Sequence, residues 1–516
     1  MTELNKENVC IGEKSIALFS QLYCEADVIV PDVYPDISKI IHVSSTAGIT
    51  DKKCSANRMS VDGRSEIVIL YSGDDNNVYS ISTGQNFSHI IDAKGCTEGM
   101  YAEAEINVDN IDFTVLNSRK LNIKVLMGID ANVLEDVTAE ICTSMATDDP
   151  YEILNSTVSP YRTVSRVCEQ LCIREKLEIP SGKPSIEKIL RTDVCIRNKE
   201  HSLSTDKMMI KGILIISTVY CSDIDGKIHC VEHEVPFAEM IGMPDVTEDM
   251  DSKLKLYINR IFYKPEPDAD GDCRHIMIEC IVTANAKACK QFDLNIVKDV
   301  YCTKYPIIPE RDNSVITTLI EENRCQISSK DIVSLNDDMA DIAQIFNICP
   351  KVHLANTTAD GNKVTVEGII ETDIMYVSDS AESPINTHRH TQKFSHSFEI
   401  PDCSEELIYD VHIDIVHSSY TIRMGKEIDL RFVLQLDTDV LSNHRTEYVK
   451  SMQPDEEKCY DTKKSYCIKI YFAKKHDNLW SIAKRHKITR KALMEINNIS
   501  SDSEIFDGRQ LMIPIK

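Results

Sequence analysis

The sequence predicts a mainly β protein in which three tandem β-rich domains precede a small α+β domain. Three observations lead to this prediction. A long segment recurs three times, its copies alternate Val and Ile with polar residues as strands do, and the residues after 465 follow helical spacing instead. The chain has 516 residues, which is too many for one hydrophobic core, so several domains are expected.

A short motif defines the repeats, together with a glycine and a tyrosine at fixed distances behind it. The motif reads PDISKI around Ile37 and recurs around Ile186 and Ile342. In each copy the glycine stands 26 positions after the isoleucine, and the tyrosine stands eight positions after the glycine. An aromatic residue follows in every copy, and we assign it to Phe87, Phe237 and Phe398. The glycines and tyrosines are Gly63, Gly212, Gly368, Tyr71, Tyr220 and Tyr376.

Alternation around each glycine predicts a central strand, whereas the motif itself fits either a helical turn or an edge strand. Each copy spans roughly 110 to 120 residues, the size of an independent domain rather than of a solenoid repeat. A charged stretch that contains Pro454 and few aliphatic residues is predicted to be a linker. The predicted divisions are repeat 1 (1–136), connector (137–170), repeat 2 (171–289), connector (290–324), repeat 3 (325–440), linker (441–464) and terminal domain (465–516).

Charge and cysteine content exclude several classes of function. The chain carries 57 Lys plus Arg against 82 Asp plus Glu, and its net charge of −25 repels nucleic acids and anionic membranes. The 19 cysteines are scattered and often stand inside apolar strands, as Cys280 does, so reduced thiols are expected. The chain start lacks the pattern of an export signal and no stretch is apolar enough to span a membrane, so we expect a cytoplasmic protein.

Two motifs with the letters of metal sites are interpreted as strand and turn. HCVEH contains a zinc-peptidase text, but at about 3.3 Å per residue in a strand His229 and His233 lie too far apart for one metal. DADGDCRHIMIE resembles a calcium loop, yet Cys273 replaces the required glycine, so we expect a hairpin tip. No catalytic constellation is recognisable, so no enzyme activity, cofactor or metal is expected.

The terminal domain is basic, whereas the rest of the chain is acidic. Residues 465–516 hold ten Lys plus Arg against five Asp plus Glu, a net +5, which leaves −30 for residues 1–464. The pattern predicts a strand, two helices and a strand, with Asp477 capping the first helix and Thr489 the second. Trp480, the only tryptophan, lies on the inner face of the first helix. Core-only and core-with-exposed-edge readings of this side chain remain equally open.

This terminal domain resembles a LysM domain in the stretches HDNLWSIAKRH, ALMEINNI and FDGRQLMIP. The resemblance implies a shallow groove between two loops, which in that family holds polymers of N-acetylglucosamine. Three positions depart from the family pattern, because His476 stands where the family has glycine, Asn478 where it has threonine and Arg509 where it has glutamine. We therefore expect glycan binding to be weak and the groove to hold a protein partner.

The three repeats resemble the SPOCS domain of spore coat and secretion-related proteins from endospore formers. SPOCS-like units followed by one LysM domain are similar to a clostridial family of spore coat morphogenetic proteins. The resemblance implies a non-enzymatic scaffold that docks through its LysM domain to the stage IV sporulation coat ATPase. It places the protein in the mother-cell cytoplasm at the forespore surface, with other coat proteins as partners of the repeats. The alternative is a protein that binds peptidoglycan or cortex glycan through the LysM domain.

The residues expected to bind the partner lie in the two groove loops and on the adjoining helix ends. They combine an aromatic anchor with one solvent-exposed edge, a second exposed aromatic residue, a basic residue and amide or carboxylate groups. The set comprises Lys474, Asp477, Asn478, Leu479, Trp480, Asn497, Asn498, Phe506 and Asp507.

Overall fold

Strands dominate the computed structural model, as the sequence predicts, and the two α-helices found among the described residues lie in the terminal domain. The residues that it describes are 4–75, 77–145, 150–224, 226–336, 339–378, 385–401, 404, 406–423, 425–455, 457–460 and 468–514. Repeat 1 contains β1 (Leu4–Ile29), β2 (Ile37–Ser55), β3 (Arg58–Gly73), β4 (Val78–Asp92), β5 (Tyr101–Asn117) and β6 (Lys120–Met145).

Each repeat consists of two antiparallel three-stranded sheets. In repeat 1 the strand orders are β2-β3-β4 and β1-β6-β5, and the other repeats reproduce both orders. Repeat 2 contains β7 (Tyr151–Val158), β8 (Tyr161–Glu178), β9 (Ile186–Ser204), β10 (Lys207–Ser222), β11 (Ile228–Gly242), β12 (Asp251–Pro267), β13 (Cys273–Gln291) and β14 (Leu294–Cys302). Repeat 3 contains β15 (Ile307–Ser334), β16 (Gln344–Asp360), β17 (Lys363–Val377), β18 (Ile385–Glu399), β19 (Ile408–Arg423) and β20 (Glu427–Pro454).

The recurring glycine lies under the recurring aromatic ring on the neighbouring strand. A Cβ atom on Gly63 would stand 2.3 Å from the ring of Phe87, and the other two glycines are covered in the same way. Only glycine leaves room for such a ring, which in turn shields the bare backbone. The three cross-strand pairs are Gly63–Phe87, Gly212–Phe237 and Gly368–Phe394. The assignment of Phe398 in the third copy was therefore wrong, because Phe398 lies opposite Val364.

The recurring tyrosine ties each central strand to the short motif. Its hydroxyl donates to a backbone carbonyl 36 residues upstream, from Tyr71 to Pro35 at 3.1 Å, from Tyr220 to Pro184 at 2.9 Å and from Tyr376 to Ala340 at 3.1 Å. All three rings are fully buried, so this hydrogen bond fixes the chain where it turns into the sheet. In repeats 1 and 2 the motif begins edge strands β2 and β9, which settles the choice between turn and strand.

The three repeats form a closed ring within one chain. Strand β4 contacts β9, β10 contacts β16, and β18 contacts β2, so each repeat touches the next and the last touches the first. The residue before the recurring tyrosine points to the middle of the ring in every copy. It joins its counterparts in one apolar core of Leu70, Val219, Met375, Val78, Leu190, Cys230, Phe346 and Ile385.

The predicted connectors and much of the predicted linker belong to strands instead. The first part of β1 pairs with the last part of β6, β7 pairs with β14, and the first part of β15 pairs with the last part of β20. These three two-stranded ribbons share a second apolar core of Val9, Ile11, Ile141, Leu294, Ile296, Ile316 and Tyr448. The linker prediction failed up to Pro454 because a strand with one exposed face is as polar as a linker. Residues 456 and 461–464 of that segment lie outside the described residues.

The ribbon of repeat 2 differs from the other two ribbons in its connection to the sheet. Strands β1, β6, β15 and β20 run without interruption from sheet to ribbon. In repeat 2, residues 159–160 separate β7 from β8, and residues 292–293 separate β13 from β14 at the same level. Pro160 has no amide hydrogen for a ladder bond, which accounts for a break at this point.

The two metal-like motifs have the predicted strand and turn structure. His229 and His233 lie on β11, opposite Tyr220 and Ile216 of the neighbouring strand. The Asp268 carboxylate accepts hydrogen bonds from the backbone amides of Asp270 and Asp272, which closes the tip between β12 and β13.

Candidate functional site

The terminal domain has the predicted order of strand, helix, helix and strand. Its elements are β21 (Ile468–Phe472), α1 (Leu479–His486), α2 (Arg490–Asn497) and β22 (Gln510–Pro514), with β21 and β22 paired antiparallel. Residues 465–467 and 515–516 of the predicted domain lie outside the described residues. A small core of Leu479, Ile482, Ala483, Leu493, Leu511 and Ile513 holds the helices on the hairpin.

The cap of α1 is Asn478 rather than Asp477. The Asn478 side chain accepts from the amide of Ser481 at 2.7 Å, and the Ser481 hydroxyl accepts from the amide of Asn478 at 3.0 Å. Adjacent Asp and Asn cap equally well, so local rules do not choose between them. Thr489 caps α2 as predicted, accepting from Ala492 at 3.1 Å.

Asp477 instead locks the loop that precedes α1. Its carboxylate accepts from the hydroxyl of Tyr471 at 2.6 Å and from the amide of Lys474 at 2.9 Å, and it pairs with Arg485 at 3.1 Å. Although burial alone would raise the pKa of Asp477, these partners lower it below its usual value. The Asp477 side chain therefore stabilises the fold of the loop.

The two asparagines at the end of α2 divide between structure and surface. The Asn497 side chain donates to the carbonyl of Met512 at 2.7 Å and accepts from its amide at 2.6 Å, which joins the helix end to β22. Asn498 closes the helix in the left-handed conformation, with φ 52°, and is exposed.

The two loops of the expected groove lie side by side and form an exposed rim. The amide of Gly508 donates to Ala473 at 2.8 Å, and the amide of Ala473 donates to Arg509 at 2.9 Å. The rim comprises Lys474, Lys475, His476, Asn478, Phe506 and Asp507, all exposed. With 62% of its surface in solvent, the Phe506 side chain has the free face that an aromatic anchor needs.

Trp480 is turned away from this rim and is buried against β14 of repeat 2. Only 8% of its surface is exposed, and its indole nitrogen donates to the Asp299 carboxylate at 2.9 Å. The ring packs edge-on against Tyr301, with the ring centres 4.9 Å apart. Neither reading of Trp480 from the sequence anticipated this, because the edge that leaves the domain core is covered by the same chain.

Three side chains from two other parts of the molecule contact the Asp299 carboxylate. Besides Trp480, Lys484 of α1 contacts the carboxylate at 2.6 Å and Arg311 of β15 at 2.9 Å. Burial alone would raise the pKa of Asp299, but the hydrogen bonds from Lys484 and Trp480 hold it below its usual value. A buried carboxylate with this many partners is ionised, so the contact is a charged one.

Two further contacts hold the terminal domain against the preceding part of the chain. The Tyr301 hydroxyl donates to the backbone carbonyl of Ile488, between α1 and α2, at 2.7 Å. The Lys487 ammonium stands 3.2 Å from the ring centre of Tyr460, just before the terminal domain. Sequence reasoning missed Asp299 and Tyr301. The one available signal was a carboxylate inside the mainly apolar stretch that became β14.

The nine predicted site residues therefore do not form one surface. Lys474, Asn478, Asn498, Phe506 and Asp507 are exposed, whereas Asp477, Leu479, Trp480 and Asn497 make contacts within the chain. Leu479 is fully in the core and donates its amide to Asp502 at 2.6 Å. Binding by any of the nine stays a prediction.

A cavity of about 1240 Å³ lies inside the ring and is lined by residues of all three repeats. Much of its charge is internally neutralised, for example by Arg191 with Asp193 and by Lys199 with Asp414, each at 2.8 Å. Among the described residues, no group of three or more His, Cys, Asp or Glu side chains could hold a metal ion. The rim and the Trp480 contact are thus the features of this chain with the clearest chemistry for recognition.

Comparison with protein families gives two matches. Residues 36–116, 185–266 and 341–423 match the family described as SipL, SPOCS domain, and residues 471–514 match the LysM domain. No curated protein and no solved structure matches the chain. None of the helices in the described ranges is both long and apolar enough to cross a membrane.

Proposed function

Because the chain belongs to the SipL family of SPOCS-domain proteins with a C-terminal LysM domain, we propose that it is a non-enzymatic scaffold of spore coat assembly. The domain content makes it a sporulation-related protein. In our proposal the ring of SPOCS repeats is the body of the scaffold and the LysM rim is its docking surface. The partner is the stage IV coat ATPase, and the place of action is the forespore surface in the mother-cell cytoplasm.

The observation that carries this proposal is the outward position of the rim. While α1 is held on repeat 2, Lys474, Lys475 and Phe506 remain exposed on loops that Asp477 and Gly508 fix in place. A fixed loop loses little conformational entropy on binding, which favours recognition. The rim combines an aromatic anchor with positive charge, so it fits an acidic protein surface that offers an apolar recess.

Charge separation within the chain supports the same partner chemistry. The terminal domain carries +5 and the remainder −30, so an acidic partner is repelled by the ring and attracted by the rim. Association is therefore expected to weaken as salt increases, because the attraction is between solvent-exposed groups. Other coat proteins are proposed to bind the repeats.

Glycan binding is the second candidate function, since LysM domains hold N-acetylglucosamine polymers in the groove between these two loops. The exposed Phe506 ring supports it, because sugars stack on such faces. His476 keeps the left-handed backbone that glycine favours, with φ 73°, so its replacement of the family glycine adds an imidazole to the loop that would line the groove. We propose that any glycan affinity is weak.

The test measures binding of the full chain to the coat ATPase and, in parallel, to peptidoglycan fragments by interferometry. Phe506→Ala and Lys474→Glu are expected to weaken ATPase binding at least tenfold, about 1.4 kcal/mol per decade. Lys491→Glu, at an exposed lysine of α2, is the matched control and is expected to change it less than twofold. Binding to glycan alone would overturn the scaffold proposal in favour of a wall or cortex protein.

A further inference from the structure

The contact between Trp480 and β14 has the features of a binding site with its ligand in place. Asp299 and Tyr301 are two residues apart on one strand, so their side chains point to the same side, towards α1. Val300 between them points the other way and is buried in a separate core of the ribbons. The strand thus presents one carboxylate and one phenol as a pair.

The terminal domain has a matching group for each feature of that pair. The Trp480 indole and the Lys484 ammonium meet the carboxylate, the Trp480 ring meets the tyrosine ring, and the carbonyl of Ile488 accepts the phenol hydroxyl. These groups come from α1 and from the turn behind it, so a single rigid surface carries all of them. Charge-assisted hydrogen bonds of this kind discriminate strongly against a segment that lacks the carboxylate.

The β14 segment is also set apart from the sheet that it would otherwise continue. Breaks at residues 159–160 and 292–293 separate the β7–β14 ribbon from the sheet of repeat 2, whereas the other two ribbons continue their sheets. The ring can therefore keep its own sheets and cores whether or not the terminal domain sits on β14.

We propose that the Trp480 face of the LysM domain is a binding site for an extended protein segment in which a carboxylate is followed, two residues later, by an aromatic ring. In this chain Asp299 and Tyr301 fill that site as a built-in competitor. A partner segment with the same chemistry binds by displacing β14, which exposes Trp480 and frees the terminal domain to move relative to the ring. This face is distinct from the rim and goes beyond rim docking.

The single tryptophan makes the test direct, because all tryptophan emission of the full chain, excited selectively over its 19 tyrosines, comes from Trp480. The probe is a synthetic peptide of residues 294–302, LNIVKDVYC, with its final cysteine as serine. The protein is the full chain with Asp299→Ala and Tyr301→Ala, in which the built-in segment cannot fill the site. Its emission is expected to lie at longer wavelength than that of the natural chain and to return as peptide is added.

Two comparisons sharpen the result. A peptide with asparagine in place of its aspartate is expected to bind at least tenfold more weakly, because the ammonium of Lys484 then meets no charge. The natural chain is expected to need at least tenfold more peptide than the double variant, because its own β14 competes. Circular dichroism shows whether the variant is folded. If it is not, Asp299→Asn with Tyr301→Phe, which preserves the shape of both side chains, replaces it.

Unchanged emission in a folded variant would overturn the proposal, since Trp480 would not depend on β14. A red-shifted variant whose emission ignores the peptide would also overturn it and would leave the contact as purely structural. Either failure leaves the rim proposal standing, because that proposal is read from Phe506 and Lys474 variants with a different partner.

Discussion

The ring of repeats and the docked terminal domain are held by opposite strategies. In the ring the same contacts occur three times, a tyrosine hydroxyl on a carbonyl and a phenylalanine ring over a glycine, around one apolar core. The terminal domain is held by contacts that each occur once, chiefly those of the Asp299 carboxylate and the Tyr301–Trp480 ring pair. Because its contacts are repeated, the stability of the ring does not depend on any single side chain. The docking of the terminal domain, in contrast, depends strongly on the Asp299 carboxylate.

The first test is a substitution in the ring at a position that recurs in all three repeats. A Cβ on Gly63 would lie 2.5 Å from the backbone oxygen of Gly48 and 2.3 Å from the Phe87 ring, so Gly63→Ala is expected to lower the free energy of unfolding by about 3 kcal/mol. Urea denaturation measures it. Gly242→Ala, where a Cβ meets nothing within 4 Å, is the control and should cost under about 1 kcal/mol. Equal losses at both positions would contradict the packing argument.

A second substitution addresses the docking while sparing the ring. Lys484→Met removes the ammonium from Asp299 and is expected to weaken docking by about 1 to 2 kcal/mol, the range for a hydrogen bond to a charged group, reduced here because the lysine is partly exposed. Hydrogen exchange of the α1 amides is the measurement. The same change at Lys491, whose side chain is 85% exposed, is the control. A matching increase in exchange within the ring would show that the two regions are not separable.

The repeated tyrosines allow a smaller and more even test of the ring. Tyr220→Phe deletes one buried hydrogen bond and leaves the Pro184 carbonyl unpaired, so about 1 to 2 kcal/mol of stability should be lost. Tyr71→Phe and Tyr376→Phe are expected to give losses of the same size, read as shifts in melting temperature. Tyr23→Phe, at a ring that is 70% exposed, should give almost none. A loss confined to one repeat would refute the equivalence of the three.

Lowering the pH is expected to weaken the docking of the terminal domain on the ring. Near neutral pH this effect is expected to be the smallest of those predicted here. The folded-state pKa of Asp299 is lowered, so its contribution to docking is complete above the ordinary aspartate pKa of about 4 and is lost as pH falls through the lowered value. The charged groups that face it are Lys484 of α1 and Arg311 of β15.

Trp480 emission is therefore expected to be flat from neutral pH to about pH 5 and to shift to longer wavelength only in stronger acid. The Asp299→Asn chain should lack this acid transition. An identical transition in that variant would assign the shift to another group.

The sequence predicted what depends on local spacing and missed what depends on distant contacts. Fixed intervals revealed the three repeats, and helical spacing with an N-cap at Thr489 revealed the terminal domain. Phe398 was assigned where the structure has Phe394, and Asp477 where it has Asn478, because both members of each pair suit the local pattern and only the folded chain distinguishes them. The role of Trp480 lay beyond reach, since its partner Asp299 is 181 residues away in the chain. The polar face of β20 similarly concealed a strand within an expected linker.

The interrupted ribbon of repeat 2 also bears on how many sites for a partner one chain presents. Three similar units in a closed ring would by themselves present the same face three times, and a structure grown from them would branch. Within the described ranges, it is the ribbon made of β7 and β14 that packs against the core of the terminal domain, so the near-symmetry of the ring is broken once. If the chain is the scaffold that we propose, its described part offers one terminal domain in one orientation, and an assembly that binds this domain gains polarity and a one-to-one count.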